Sequence, residues 1–212
     1  MQIEIFSDVV CPWCYIGKRR LDAVLASEAG AGLEVTWRPY QLYPGLPEEG
    51  MPRDAFLQAR FGADADVSRI YRRVVEEADA EGLDLHFERI RVAPNTIRAH
   101  RLLSWAELSG RQHELAEVLF SFYFREGRDV GDPEELAAAA AAAGLDAHAA
   151  RDMLRNHDEA DKVRSELALA EAAGVTGVPF FVLAGRFAVP GAQSREVMGQ
   201  LIARARERLA VG

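Results

Sequence analysis

The sequence predicts an α/β fold in which sheet-forming segments at the two ends of the chain flank an all-helical block. Three observations predict it. A strand–helix–strand pattern occupies the region from Ile3 to Trp37. From about Met51 to Gly174 the apolar residues recur mostly at helical spacing. Two short apolar runs separated by Ala184-Gly185, followed by an amphipathic stretch, close the chain.

Taken in order, Ile3 to Phe6 is a short apolar run that ends at Ser7-Asp8, a first strand. After Val9-Val10 and Cys11-Pro12-Trp13-Cys14, the stretch Tyr15 to Ser27 reads as a helix. Ile16, Leu21, Val24 and Leu25 give it a buried side, and Gly30-Ala31-Gly32 stops it. Leu33 to Trp37 alternates apolar and polar residues, a second strand, so the front is a βαβ unit with a parallel pair and a right-handed crossover. Pro39, Pro44, Pro47 and Pro52 break up a loop from Arg38 to Met51, a candidate domain boundary.

Within the helical block, Val67, Ile70, Tyr71, Val74, Val75 and Ala78 fall on one face, and Leu115, Val118, Leu119 and Phe122 on another. Arg69, Arg72, Arg73, Glu76 and Glu77 read as a solvated face. Asn95-Thr96 is a helix start. Asp132-Pro133-Glu134-Glu135 combines a capping residue, a first-turn proline and acids near the positive end of the dipole, and it opens the run Ala137 to Ala143, closed by Gly144. Val178 to Leu183 and Arg186 to Val189 form the hairpin. Val197, Leu201, Ile202, Ala205 and Leu209 mark the apolar side of a last helix. Joining the two ends gives a thioredoxin-like fold with an inserted all-α helical domain. The boundaries place residues 1–45 and 160–212 in the thioredoxin-like domain and 46–159 in the insertion.

The formal charge of −8 argues against a general nucleic-acid or anionic-membrane partner, because both need a positive field, though a local basic patch is not closed off by it. No stretch approaches the roughly 18 apolar residues of a membrane span, and strand character begins with the first residues, so a soluble, cytoplasmic protein is expected.

The two cysteines, Cys11 and Cys14, are the chemically informative pair. Bridging residues so close together constrains the unfolded chain little, which weakens a structural role. With Pro12 in the first helical position, Cys11 lies at the tip of the helix, where unpaired N–H groups and the dipole favour a thiolate. Cysteines so placed have pKa values of roughly 3.5–7.5. Cys14, one turn later, is close enough to resolve a mixed disulfide on Cys11 while being the more buried of the two. Zinc is the competing reading, but a structural site takes four ligands, no second Cys pair exists, and the five histidines have no site-like spacing. No metal is expected. Gly177-Val178-Pro179 opens the late strand; in a thioredoxin-like fold this proline is cis and faces the Cys pair, with the Val178 backbone available to a substrate segment. Pro12 and Trp13 complete the expected substrate surface.

Ser7-Asp8-Val9-Val10-Cys11-Pro12-Trp13-Cys14-Tyr15-Ile16-Gly17 resembles the active-site stretch of the FrnE-like branch of the DsbA family. Asn95-Thr96 with Ala99-His100-Arg101, the stretch Gly174 to Phe181, and Gly191-Ala192-Gln193 match it in order and spacing, so the resemblance covers nearly the whole chain. It implies a cis Pro179 and exchange of protein or small-molecule disulfides. Pro190 stands where the family often has serine, and the extra Cys pair of some members is missing. The 2-hydroxychromene-2-carboxylate isomerases and kappa-class glutathione transferases are similar too, but commonly place serine at the Cys11 position. Gly191, Ala192 and Gln193 lie where those relatives hold glutathione.

The expected function is therefore that of a thiol–disulfide oxidoreductase with no cofactor beyond its own redox-active Cys11–Cys14 pair, acting on a thiol or disulfide substrate, with glutathione as a candidate co-substrate. The alternative is a glutathione-dependent isomerase or transferase; a peptide-binding adaptor is a third reading. Asp8 and His100 are candidate acid–base groups, weighed against a strand end and a hydrogen-bonded helix histidine. Phe180, Phe181 and Phe187 are core candidates, one of which could edge onto a substrate groove.

Overall fold

A computed structural model of the chain describes residues 1–211; Gly212, the last residue of the expected thioredoxin-like segment, lies outside the described residues. Strand β1 (Gln2–Ser7) leads through Asp8–Cys11 into helix α1 (Pro12–Leu25) and then strand β2 (Glu34–Pro39), parallel to β1 with Ile3 opposite Val35 and Ile5 opposite Trp37. The late hairpin, β5 (Phe180–Leu183) and β6 (Phe187–Pro190), adds to the other edge of β1 in antiparallel sense, with Ile5 opposite Phe181. The sheet order is β2-β1-β5-β6, so β1 is central and its C-terminal end delivers the Cys pair. Ala184 and Gly185, both with positive φ, turn the hairpin.

The middle of the chain folds as α2 (Arg53–Phe61), α3 (Val67–Ala80), α4 (Ile97–Glu107), α5 (Gln112–Ser121), α6 (Pro133–Ala142), α7 (Ala147–Arg155) and α8 (Ala160–Ala172), with a π-helical turn over Phe122–Glu126 after α5. The final helix, α9 (Arg195–Val211), packs back on α1. The start at Asp132 is a true cap, its Oδ1 accepting from the Glu134 and Glu135 N–H groups at 2.8 and 3.0 Å. At the α4 start the capping oxygen belongs to Asn95, which accepts from the Ile97 N–H at 3.0 Å. A two-residue ladder that the sequence did not announce, β3 (Met51–Pro52) against β4 (Val92–Ala93), fixes where α2 begins. Gly50 (φ +75°) makes that possible, since a Cβ there would meet the Ala93 carbonyl oxygen at 2.8 Å.

One apolar cluster runs through both parts of the chain, joining Ile3, Ile5 and Phe181 of the sheet to Leu102, Phe120 and Leu136 of the helices. Tyr15 of α1 stacks on Phe120 at 5.1 Å, and Trp37 of β2 meets the same ring edge-on. Buried Lys18 bridges Asp22 and Glu117 at 2.8 and 3.0 Å, tying α1 to α5.

Two amphipathic faces differ from expectation. In α9 the buried positions are Met198, Ile202 and Ala205, while Val197 and Leu209 are exposed, because the helix is rotated so that the 198–202–205 stripe meets the core. In α3, Val74 and Ala78 are buried but Ile70 and Val75 are exposed, since each borders a surface depression that the neighbouring helices leave open. The charged side of α3 is also not simply solvated. Glu77 pairs with Arg20 of α1, and the Arg73 guanidinium lies 5.8 Å over the Trp13 ring.

Candidate active site

Cys11 occupies the N-cap of α1 with extended backbone (φ −93°, ψ 111°), and its own N–H donates to Asp8 O at 3.0 Å. Its side chain caps nothing, which leaves the sulfur free to face across the site, where Sγ lies 3.6 Å from Val178 O. The Val178–Pro179 peptide bond is cis. Cys14 lies one turn below; the two cysteines are free thiols, 4 and 1 % exposed. Burial pushes the Cys14 thiol well up from its ordinary value and the neighbouring Cys11 adds to this, while the Ser7 hydroxyl and the Asp8 backbone pull the other way. The pair is thus asymmetric: Cys11 borders open space, and Cys14 is held as a thiol.

Close packing fixes the cis-proline loop against α1. A Cβ on Gly17 would meet Pro179 Cγ at 3.0 Å and Phe181 Cζ at 3.4 Å. Gly191 N–H donates to Pro179 O at 2.8 Å, and Arg20 Nη1 donates to Ala192 O at 2.8 Å while Arg20 Nε holds Glu81 at 2.7 Å. The turn Gly191-Ala192-Gln193 is therefore pinned to both the cis-proline loop and α1, with Gln193 Nε2 donating to Pro190 O.

Asp8 and His100 are both buried. Asp8 Oδ2 accepts from the Leu42 N–H at 2.7 Å, and Oδ1 faces His100 Nε2 at 3.5 Å. At that separation the two side chains face each other without a formed hydrogen bond, and neither Oδ1 nor Nε2 has another partner among the described residues. His100 is therefore not the satisfied helix histidine that the sequence suggested.

Cys11 opens into a cavity of about 350 Å³ between the front of α1 and the helical block. Val10, Cys11, Pro12, Trp13 and Val178 form one wall. Tyr43, Phe56, Tyr71, Phe87 and Tyr123 form the other, with Arg53 among them. Tyr43 meets Phe56 edge-on at 4.7 Å and Tyr71 stacks on Phe87 at 4.5 Å, so the aromatic wall is internally packed. Burial raises the Tyr123 hydroxyl far above its usual range and keeps it a donor.

Of the residues singled out in the sequence, Cys11, Pro12, Trp13 and Val178 share this cavity, and Pro179 lies behind it. Gly191, Ala192 and Gln193 are beside Pro179 but do not line the cavity. Phe180, Phe181 and Phe187 do not line it either: Phe181 is wholly buried in the sheet and the groove aromatics come from elsewhere. The residues missed were Arg53 and the aromatics of the helical block. Their only signal was a run of aromatics among weakly periodic apolar positions, which reads equally as core.

The DSBA-like thioredoxin domain family matches residues 2–203. A probable DsbA oxidoreductase from Streptomyces coelicolor, SCO1869, is 37 % identical, with a TM-score of 0.87 over 98 % of this chain and 90 % of that one. The uncharacterized protein YwbO of Bacillus subtilis (strain 168) is 27 % identical over 206 residues, 95 % of this chain and 96 % of that protein. The cytosolic disulfide reductase DsbM of Pseudomonas aeruginosa, at 17 % identity and a TM-score of 0.69 with full coverage of both chains, shares the fold. With its Cys pair at the tip of α1, its cis-proline loop opposite and its helical block above, the chain belongs to the family of DSBA-like thioredoxin domains.

Proposed function

We propose that this protein is a thiol–disulfide oxidoreductase that works through Cys11 and Cys14. The observation that carries the reading is the placement of Cys11 at the N-cap of α1, facing Val178 O and an open cavity, with Cys14 buried one turn below. A thiolate is stabilised at a helix N-terminus, and the spacing gives the second sulfur access to the back of the first.

In the reducing direction, the Cys11 thiolate attacks one sulfur of a substrate disulfide and expels the other as a thiolate. The Cys14 thiol then loses its proton and attacks Cys11 Sγ, which forms the Cys11–Cys14 disulfide and releases the second substrate thiolate. Two electrons pass from the cysteine pair to the substrate. Two glutathione thiols restore the dithiol and leave as glutathione disulfide; the pinned turn Gly191-Ala192-Gln193 is the surface offered to that co-substrate. At the glutathione poise of a cytoplasm the pair rests reduced, so reduction or isomerisation is the working direction there.

The test is a pair of serine variants. Cys11→Ser abolishes exchange, and Cys14→Ser accumulates a mixed disulfide on Cys11 that intact-mass spectrometry detects. Full turnover by Cys11→Ser would overturn the assignment.

A further inference from the structure

Arg53 is a cation in a costly place. It is 7 % exposed and occupies the first residue of α2, at the end where the helix dipole is positive. Among the described residues no carboxylate lies within 4.0 Å of its guanidinium. Its side-chain contacts are a 3.4 Å hydrogen bond from Nη1 to the Tyr123 hydroxyl and the Tyr71 ring, 5.9 Å away. Asp54 and Glu88 line a separate depression on the outer side of the Arg53, Tyr71 and Phe87 wall, beyond pairing distance. Every other buried Arg or Lys is otherwise provided for: Lys18 by Asp22 and Glu117, Arg20 by Glu77 and Glu81, Arg101 by the Met153, Leu154 and Asp158 carbonyls.

A buried charge is unfavourable unless something pairs with it. Arg53 lines the same apolar cavity as Cys11. Its planar fork matches a carboxylate in two-point geometry, and the positive helix end favours the same negative charge. The rest of the wall is aromatic. We infer that the cavity binds a compact aromatic or apolar carboxylate, with Arg53 holding the carboxylate, the tyrosine and phenylalanine rings flanking the body, and the thiol or disulfide end directed to Cys11. This rests on the exchange reading only for its sulfur end; the carboxylate site stands apart from it. A mostly polar peptide such as glutathione would leave the aromatic wall unused.

The discriminating experiment is equilibrium binding of 2-naphthoate and the neutral 2-naphthamide, followed by calorimetry. Neither probe contains sulfur, and the titrations are repeated on Cys11→Ser, so a failure of the redox chemistry leaves the result untouched. In the wild type and in Cys11→Ser, 2-naphthoate is expected to bind at least tenfold more tightly than the amide. Arg53→Gln should abolish that preference while the amide binds as before, and Arg53→Lys should restore part of it. Because the charge is costly when the cavity is empty, Arg53→Met is also expected to raise Tm, whereas a structural role for Arg53 would lower it. Equal affinity for the two probes, or a preference that survives in Arg53→Gln, would overturn the inference.

Discussion

Asp8 and His100 face each other at 3.5 Å in the interior, their side chains 1 and 2 % exposed, and the Asp8 backbone carbonyl accepts the Cys11 N–H at 3.0 Å. Asp8 also holds the Leu42 N–H, so one carboxylate joins the end of β1, helix α4 and the loop that carries Tyr43 into the cavity wall.

Removing that carboxylate should cost stability. Asp8→Ala leaves the half-buried Leu42 N–H without its acceptor and His100 without its facing group, an expected loss of about 1–3 kcal/mol in urea unfolding. Asp8→Asn keeps an acceptor for Leu42 and should lose less. A change within about 0.5 kcal/mol for Asp8→Ala would show that the pair is not structural.

A proton-carrying role of the Asp8 carboxylate toward Cys14, the acid–base role the sequence offered for it, would not register in the stability measurement and is tested separately. In single-turnover experiments Asp8→Asn is expected to lengthen the life of the mixed disulfide by about tenfold or more, with the first attack by Cys11 unchanged. Equal slowing of both steps would point to a general disturbance of the site instead.

Cys14 titrates well above its ordinary value because burial disfavours its thiolate. Below that pKa the thiolate fraction grows about tenfold for each pH unit, so resolution of the mixed disulfide should accelerate between about pH 6 and 8. Ser7→Ala removes a hydroxyl that favours the thiolate and should slow resolution throughout that range. Stopped-flow release of the second thiol measures both; a rate flat with pH would contradict the raised Cys14 value.

Gly17 lets the cis-proline loop approach α1. Gly17→Val would drive a branched side chain into Pro179, Phe181 and Ala192, an overpacking cost of about 1–3 kcal/mol. Loss of exchange activity beyond the loss of folded protein, compared by circular dichroism and a disulfide-reduction assay, is the expected outcome. Unchanged activity would mean that the loop can move without consequence.

The sheet and the cysteine pair were legible because their signals are local. The apolar run from Ile3 to Phe6, the alternation from Leu33 to Trp37, Pro12 behind Cys11 and the cap at Asp132 each depend on neighbours a few residues away. The cavity was not legible, since Tyr43, Phe56, Tyr71 and Tyr123 converge only through tertiary packing and look like ordinary core in the sequence. Arg53 was hidden for a similar reason: its burial follows from the β3–β4 ladder and Gly50, which position the start of α2. The charged face of α3 misled because Glu77 and Arg73 meet partners on α1, and helical periodicity carries no information about a neighbouring helix. Val197 and Leu209 were misassigned through the breadth of the α9 apolar stripe, where a small rotation decides which residue is buried.

Everything proposed for the site requires that Cys11 and Cys14 form a working two-electron pair. Equilibrating the protein with glutathione buffers of known ratio, quenching with an alkylating agent and weighing the products measures this directly. A single transition between dithiol and intramolecular disulfide is expected, at a potential within roughly −270 to −120 mV. A pair that never closes, or that stops at a glutathione adduct on Cys11, would contradict it and favour a glutathione-dependent isomerase or transferase.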